Sequence, residues 1–196
     1  FIVPGLVAII MTLIGTLLTA LVVAREWERG TMEALFATPV RPAEILLGKL
    51  LPYFLLGMGG MALSVVMAVT LFDVPLRGSL AVLTGTSVVF MITAVALGVF
   101  ISSLARNQFV AAQAAIIATM LPAIMLSGFI FDIDAMPGWV QAITYAVPAR
   151  YFVSILQTVF LAGDVWPVIW PNLLALAGFA VLLLSVATHR SRKSLD

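Results

Sequence analysis

Apolar side chains fill five long runs of the chain, and short polar segments separate these runs. The first run contains no ionisable residue. A helix of about 20 apolar residues crosses the hydrocarbon core of a bilayer. Each run is long enough to do so, and the pattern therefore predicts an all-α polytopic membrane protein with about five transmembrane helices. These spans are expected at residues 2–24, 50–72, 80–104, 109–131 and 168–188.

The composition agrees with a membrane protein. Of the 196 residues, 63% are hydrophobic and 10% are charged, whereas a soluble domain is about 45–50% apolar and about 25% charged. The formal net charge of +1 argues against nucleic acid as a partner. The chain has no cysteine, which excludes a disulfide framework and a thiolate metal site. Phe1 opens directly into an apolar run without a signal-peptide pattern, so we expect an excised part of a longer protein.

The polar segment after the first run, residues 25–36, combines dense charge of both signs with an apolar stripe at helical spacing. Gly30 weakens the outgoing helix, Thr31 can cap a new one, and Pro39 disfavours its continuation. Such a helix can rest on lipid headgroups or dock into a groove of another protein. Headgroup-binding helices are rich in Lys and Arg, whereas three glutamates match two arginines between residues 25 and 33. The balanced charge favours protein docking.

A second amphipathic region lies between the fourth and fifth runs. Apolar residues recur at helical spacing on both sides of Pro148, which predicts two short helices after Pro137 and Gly138. Aromatic residues in this region suit the membrane interface. Periodicity does not fix depth, so two arrangements stay open. The pair either lies on the outer membrane surface or enters the membrane as a re-entrant pair that caps a pathway.

Lys and Arg are unevenly distributed over the segments that connect the spans. Eight of the ten lie after the first span, after the third span and in the tail, whereas Arg77 and Arg150 lie on the other side. The positive-inside rule places the side with more Lys and Arg in the cytoplasm. The chain is therefore expected to start outside and to end in the cytoplasm.

The span interiors lack Asp, Glu, Lys, Arg and His. Ion-coupled carriers use such residues at mid-membrane, and intramembrane metalloproteases need His and carboxylate ligands, so both classes are disfavoured. A P-loop is also missing from the sequence, because Gly48 and Lys49 are followed by Leu50. The chain is therefore not expected to be an enzyme, to bind a metal or to hydrolyse ATP itself.

Uncharged polar residues do occur in the spans. The candidates for a weakly polar pathway are Thr84, Gln113 and Thr119, although hydrogen bonding between helices is the more ordinary use of such residues. Small residues four positions apart permit close approach of helices, either within the chain or at a dimer seam. Two such pairs occur, Ala94 with Gly98 and Ala111 with Ala115.

Two stretches of the chain resemble a known family. The stretch REWERGTMEALFATPVRPAEILLGKL, residues 25–50, is similar to the cytoplasmic segment of ABC-2 type transporter permeases, in which a charged patch leads into Gly-Thr-x-Glu-x-Leu and then Thr-Pro. The stretch LSGFIFDIDAMPGWVQAITYAVPARYF, residues 126–152, resembles the last outer loop of that family. The similarity is greatest to the bacterial efflux or multidrug subgroup, whose full chains carry an additional first span and a large extracytoplasmic domain.

The resemblance implies that residues 1–196 form a single ABC-2 type transmembrane domain of an exporter in the bacterial inner membrane, with the upstream span and the outer domain missing. It implies a dimer of permease copies, identical or paralogous, surrounded by membrane lipid. Two ABC ATPase subunits would bind ATP and Mg²⁺, with no cofactor on this chain. The alternative function is a non-transport membrane anchor of an ATP-driven lipid or cell-wall assembly machine.

The resemblance also implies two sites. The ATPase-coupling interface would comprise Arg25, Glu26, Trp27, Glu28, Arg29, Gly30, Thr31, Met32, Glu33, Leu35 and Phe36. The outer gate, which would control release, has the candidates Pro137, Trp139, Pro148, Arg150 and Tyr151.

Overall fold

A computed structural model of the chain describes residues 2–30 and 42–192, and the regular structure in these ranges is helical throughout. Five helices are long and apolar enough to cross a membrane, which confirms the predicted all-α fold with five such helices. In chain order the helices are α1 (Ile2–Glu28), α2 (Pro42–Leu71), α3 (Leu80–Ala105), α4 (Gln108–Met125), α5 (Gly138–Thr144), α6 (Pro148–Leu161) and α7 (Trp166–Arg192). The five long helices are α1, α2, α3, α4 and α7.

Most helices differ from the predicted spans by a few residues, because a helix continues beyond its apolar run. The fourth span differs in the other direction: it was expected at 109–131, but α4 ends at Met125. Leu126 leaves the helical region with φ −112° and ψ 3°, and Gly128 adopts a positive φ of 83°. The segment 126–131 is therefore apolar without being helical, and apolarity alone placed the predicted end too late.

Two of the long helices contain π-helical segments. In α1 the segment is Leu13–Leu18, and in α4 it is Ile116–Met120. π-Helical turns inside α-helices are rare and occur often at functional sites. In α4 the segment comes just before Pro122, which has no backbone N–H to donate to the helix.

The centre of the bundle is α3, which packs against each of the other long helices and against α6. Gly98 of α3 lies directly against α1, since a Cβ atom built on it would be 2.6 Å from the Thr16 carbonyl oxygen. Ala111 and Ala115 of α4 belong to a buried cluster with residues of α1 and α3. Both small-residue pairs named above therefore serve packing within the chain.

Of the two short helices, α6 enters the bundle, whereas α5 is largely exposed. The buried face of α6 contacts α1, α3 and α7, and the Phe152 ring stacks on Phe90 of α3 with centroids 4.1 Å apart. The turn between α5 and α6, residues 146–149, shares one cavity with Thr93 and Thr119, which lie near the middle of α3 and α4. At its other end α6 meets the α2–α3 connection, where the Gly78 N–H donates to the Val159 carbonyl at 2.8 Å. α6 is thus re-entrant with respect to the bundle, and α5, of which only Thr144 is buried, leads into it. The two helices are called the re-entrant pair below.

Candidate functional sites

The first site lies at the charged end of the bundle, where α1 ends, α2 begins and α3 turns into α4. Glu26 on α1 forms an ion pair with Lys49 on α2, with 3.1 Å between Oε1 and Nζ. Both side chains are partly buried. Because both are shielded from solvent on one side, this pair fixes the last turn of α1 against α2 better than a fully exposed pair would.

Glu28 connects the same turn of α1 to the start of α4. Its carboxylate accepts hydrogen bonds from the Gln108 backbone N–H at 3.2 Å and from Asn107 Nδ2 at 3.5 Å. The Asn107 side chain caps α4 by accepting from the Phe109 and Val110 N–H groups. The N-terminus of a helix carries a partial positive charge, so a carboxylate at this position is stabilising.

Trp27, between these two glutamates, contacts the turn that joins α3 to α4. The Arg106 guanidinium lies over the indole, 5.3 Å from the ring centroid, at a distance typical of a cation–π interaction. Arg106 adopts a left-handed conformation with φ 47°, which lets the chain reverse direction between the two helices. Three consecutive residues of α1 therefore each contact a different part of the bundle.

The remaining residues of the predicted coupling interface divide into two groups. Arg25, Arg29 and Gly30 are exposed. Gly30 has a positive φ of 68°, and a Cβ atom built on it would meet none of the described residues within 4 Å. The others lie outside the described residues: Thr31, Met32, Glu33, Leu35 and Phe36. Sequence reasoning missed the partners Lys49, Arg106 and Asn107. Only Asn107 carried a local signal, as a helix cap directly before an apolar run.

The second site is the tip of the re-entrant pair, residues 145–151. Arg150 hydrogen-bonds through Nη1 to the Thr144 hydroxyl and approaches the Gln141 carbonyl at 3.5 Å. Its guanidinium lies 3.9 Å from the centroid of the Tyr145 ring. The Tyr151 hydroxyl donates to the Tyr145 carbonyl at 2.8 Å. Arg150 and Tyr151 therefore hold α6 against α5.

Neutral groups contact the positive charge of Arg150 at this tip. Within the described residues, the contacts of Arg150 are to a hydroxyl, a carbonyl and a ring, and none is to a carboxylate. Burial raises the pKa of the Tyr151 phenol above its ordinary value, and the neighbouring Arg150 cation opposes this shift. Tyr151 therefore stays a neutral hydrogen-bond donor at physiological pH.

The other gate candidates occupy different places on the pair. Pro148 is the first residue of α6, where its missing N–H costs no helical hydrogen bond. Pro137 precedes α5. Trp139 points away from the bundle, with 71% of its surface exposed. The structure therefore brings Pro148, Arg150 and Tyr151 together at the tip and leaves Pro137 and Trp139 apart.

The three pathway candidates are not neighbours. Thr119 is buried and borders the cavity at the tip of the re-entrant pair. Thr84 on α3 and Gln113 on α4 are exposed on the surface of the bundle. Thr12, Thr16 and Thr93 line the same cavity. The sequence marks Thr93 only as one of several polar span residues, and sequence reasoning missed Thr12 and Thr16. Nothing local distinguishes them from other span threonines, because only the packing of three helices brings them together.

The fold and these sites define the class: a polytopic α-helical membrane domain with a re-entrant helix pair and a charged segment fixed to its other end. The chain belongs to the ABC-2 transporter family, since the family model described as "ABC-2 family transporter protein" matches residues 1–189.

Curated relatives agree with this assignment. The probable multidrug ABC transporter permease YbhS of Escherichia coli is 52% identical over all 196 residues of this chain, which cover 52% of the relative. The probable multidrug ABC transporter permease YbhR of the same organism is 34% identical over 90% of this chain and 49% of its own length. The inner membrane transport permease YhhJ is 30% identical over 97% of this chain and 52% of its own length. The chain thus spans about half the length of the relatives it matches.

Proposed function

We propose that this chain is the membrane-spanning part of a permease in an ATP-binding-cassette exporter, and that a partner subunit hydrolyses the ATP that drives it. Membership of the ABC-2 family supports this function, and the names of the relatives favour export over a non-transport anchor. The observation that carries the proposal is the attachment of the charged segment to three parts of the bundle. An element that receives a mechanical input needs such attachments.

In this proposal residues 25–36 dock on the ATPase. Arg25 and Arg29 are exposed and offer charge to a partner. Glu26, Trp27 and Glu28 connect the docked segment to α2, to the α3–α4 turn and to α4. A displacement at the ATPase surface would therefore move several helices together, because the three contacts reach α2, the short α3–α4 turn and the first turn of α4.

The proposed assembly contains two permease copies, identical or paralogous, and two ATPase subunits that bind ATP and Mg²⁺. The proposed location is the bacterial inner membrane, with the charged end in the cytoplasm. Four of the basic residues that support this orientation lie at the charged end within the described residues: Arg25, Arg29, Lys49 and Arg106. The positive-inside rule places such an end in the cytoplasm.

The re-entrant pair would then form the gate on the outer side. Arg150 and Tyr151 hold its two helices together, and Pro148 marks the turn between them. The exposure of Thr84 and Gln113 on the surface of one copy fits a pathway formed between two copies. Both polar side chains would otherwise face lipid, where an unsatisfied amide is costly.

Reversal of one exposed charge tests the coupling role. In a full-length permease that contains this domain, Arg29→Glu should reduce co-purification of the ATPase and ATP-driven movement of a fluorescent drug probe, while membrane insertion stays normal. Arg77→Glu is the matched control, since Arg77 is equally exposed at the opposite end. Full co-purification and transport with Arg29→Glu, or an equal loss with Arg77→Glu, would overturn the coupling role of this segment.

A further inference from the structure

A cavity of about 120 Å³ lies at the tip of the re-entrant pair. Both π-helical segments border it, through Thr16 of α1 and through Ala118 and Thr119 of α4. The turn 146–149 closes one side. Ala118 is exposed, which places one edge of the cavity at the surface of the bundle. The cavity lies within a single copy of the chain and needs no second copy to complete it.

Four threonine hydroxyls border this cavity, and each already donates its proton to a backbone carbonyl. The donor–acceptor distances range from 2.5 to 3.2 Å and involve Thr12, Thr16, Thr93 and Thr119. A hydroxyl has one proton and two acceptor lone pairs. With their protons committed, these four groups can only accept further hydrogen bonds. A polar molecule in the cavity must therefore be a donor.

The rest of the lining restricts the molecule further. None of the lining residues is ionisable, and the remainder are apolar or aromatic, including Phe90, Leu97 and Phe179. A charged group would lose its hydration here without gaining a counter-charge. For comparison of size, an apolar cavity of about 150 Å³ in another protein binds benzene. The space at the tip is about four fifths of that size and is open at Ala118, so it admits at most one small ring.

We propose that this cavity is a binding site for a small, uncharged molecule that combines a ring-sized apolar body with one hydrogen-bond donor, as in a phenol. The ring would lie against the apolar lining, which includes Phe90 and Phe179, and the donor would reach the Thr119 hydroxyl oxygen. The proposal goes beyond export through a pathway between copies, because it places a ligand inside each copy, in contact with the turn at Pro148. Its binding needs neither ATP nor the ATPase, so its failure is distinguishable from failure of the transport proposal.

A binding experiment with a matched pair of probes tests the donor requirement. Full-length permease in lipid nanodiscs is titrated with 4-fluorophenol and with 4-fluorotoluene, and binding is followed by ¹⁹F NMR against empty nanodiscs. The two probes have nearly the same size, but only the phenol carries a donor. We expect saturable binding of the phenol and about three- to ten-fold weaker binding of the toluene, because the toluene lacks one hydrogen bond. Equal binding of both probes, or no saturable binding of the phenol, overturns the proposal.

Variants locate the site. Thr119→Val removes the Thr119 acceptor at nearly constant volume and should weaken phenol binding to the level of the toluene, whereas Thr119→Ser keeps the hydroxyl and should retain binding. Thr70→Val is the control, because Thr70 makes the same type of bond to its own helix at 2.7 Å but lies exposed on α2. Monodisperse elution of each variant verifies folding. An equal effect of Thr70→Val and Thr119→Val would place the binding elsewhere and overturn the proposal.

Discussion

Gly98 determines how closely α1 and α3 pack. A Cβ atom at this position would be 2.6 Å from the Thr16 carbonyl oxygen and 2.8 Å from the Thr19 Cβ, and a backbone oxygen cannot move aside without moving its helix. The Thr16 hydroxyl also donates to the Ala94 carbonyl across the same contact at 3.1 Å. Close approach of small residues is a main source of helix association in membranes, where lipid removes the hydrophobic driving force.

We expect Gly98→Ala to destabilise the domain by about 1–3 kcal/mol, the range for overpacking of a well-packed core. Thermal unfolding of the purified full-length permease in detergent measures this loss. Gly85→Ala on the same helix is the control, since its Cβ would meet nothing within 4 Å, and alanine is the better helix former. Equal melting temperatures for the two variants would contradict the close packing described for Gly98.

Glu28 gives a second prediction at the residue scale. Glu28→Gln removes the negative charge from the N-terminus of α4, where such a charge contributes about 0.3–1 kcal/mol. Amide hydrogen exchange in the first turn of α4, residues 108–112, should therefore become about two- to five-fold faster. Arg25→Gln, an exposed position on the same turn of α1, should leave exchange in α4 unchanged. Unchanged exchange in both variants would show that the Glu28 contact does not stabilise α4.

At the scale of the element, the re-entrant pair depends on Arg150 to hold α5 and α6 together. Hydrogen bonds to a charged group contribute about 1.5–3 kcal/mol each. The guanidinium donates to the Thr144 hydroxyl and also lies over the face of the Tyr145 ring. A lysine replaces this arrangement less well, because its compact ammonium has no planar face to stack on the ring while it donates to the hydroxyl.

Arg150→Gln and Arg150→Lys should therefore both reduce drug efflux by at least five-fold, a loss of about 1 kcal/mol or more of stabilisation. Efflux from cells that express the full-length permease with its ATPase measures the effect. Arg77→Lys, at an exposed arginine of the α2–α3 connection, should leave efflux unchanged. Full efflux with Arg150→Lys would show that charge alone suffices and that the planar contact with Tyr145 is dispensable.

Elements also differ in how far the sequence predicts them. Apolar runs and helical spacing predict the five long helices and both short ones, because burial in lipid or protein demands the same pattern. They do not predict the depth of α6, since Phe152 would look the same against lipid or against Phe90. The π-helical segments leave no apolar signature either. Lys49, the partner of Glu26, lies 23 positions away in sequence, and Gln108, a partner of Glu28, lies 80 positions away. No local sequence pattern connects residues so far apart.

At the scale of the whole molecule, orientation can be tested with single cysteines, because the chain contains none. Arg29→Cys lies at the charged end and Ala135→Cys beyond the opposite end, and both positions are exposed. In intact bacterial cells whose outer membrane has been permeabilised, a membrane-impermeant maleimide should label the cysteine at 135 but not the cysteine at 29. Disruption of the inner membrane should make both reactive. The reverse labelling would invert the proposed orientation and remove the charged end from the ATPase side.

The π-helical segment of α1 also has a consequence for insertions and deletions. A π-turn acts as one extra residue in an α-helix, and one residue corresponds to about 100° of rotation. Leu13–Leu18 precedes Glu26, Trp27 and Glu28 on the same helix. Deletion of a single residue there, with restoration of a regular α-helix, would keep the two halves of α1 aligned. A regular α-helix that retained every residue would instead turn all three side chains by about 100°, away from their partners at once. The helix would keep its apolar composition, yet the alignment between its membrane half and its charged half would be lost.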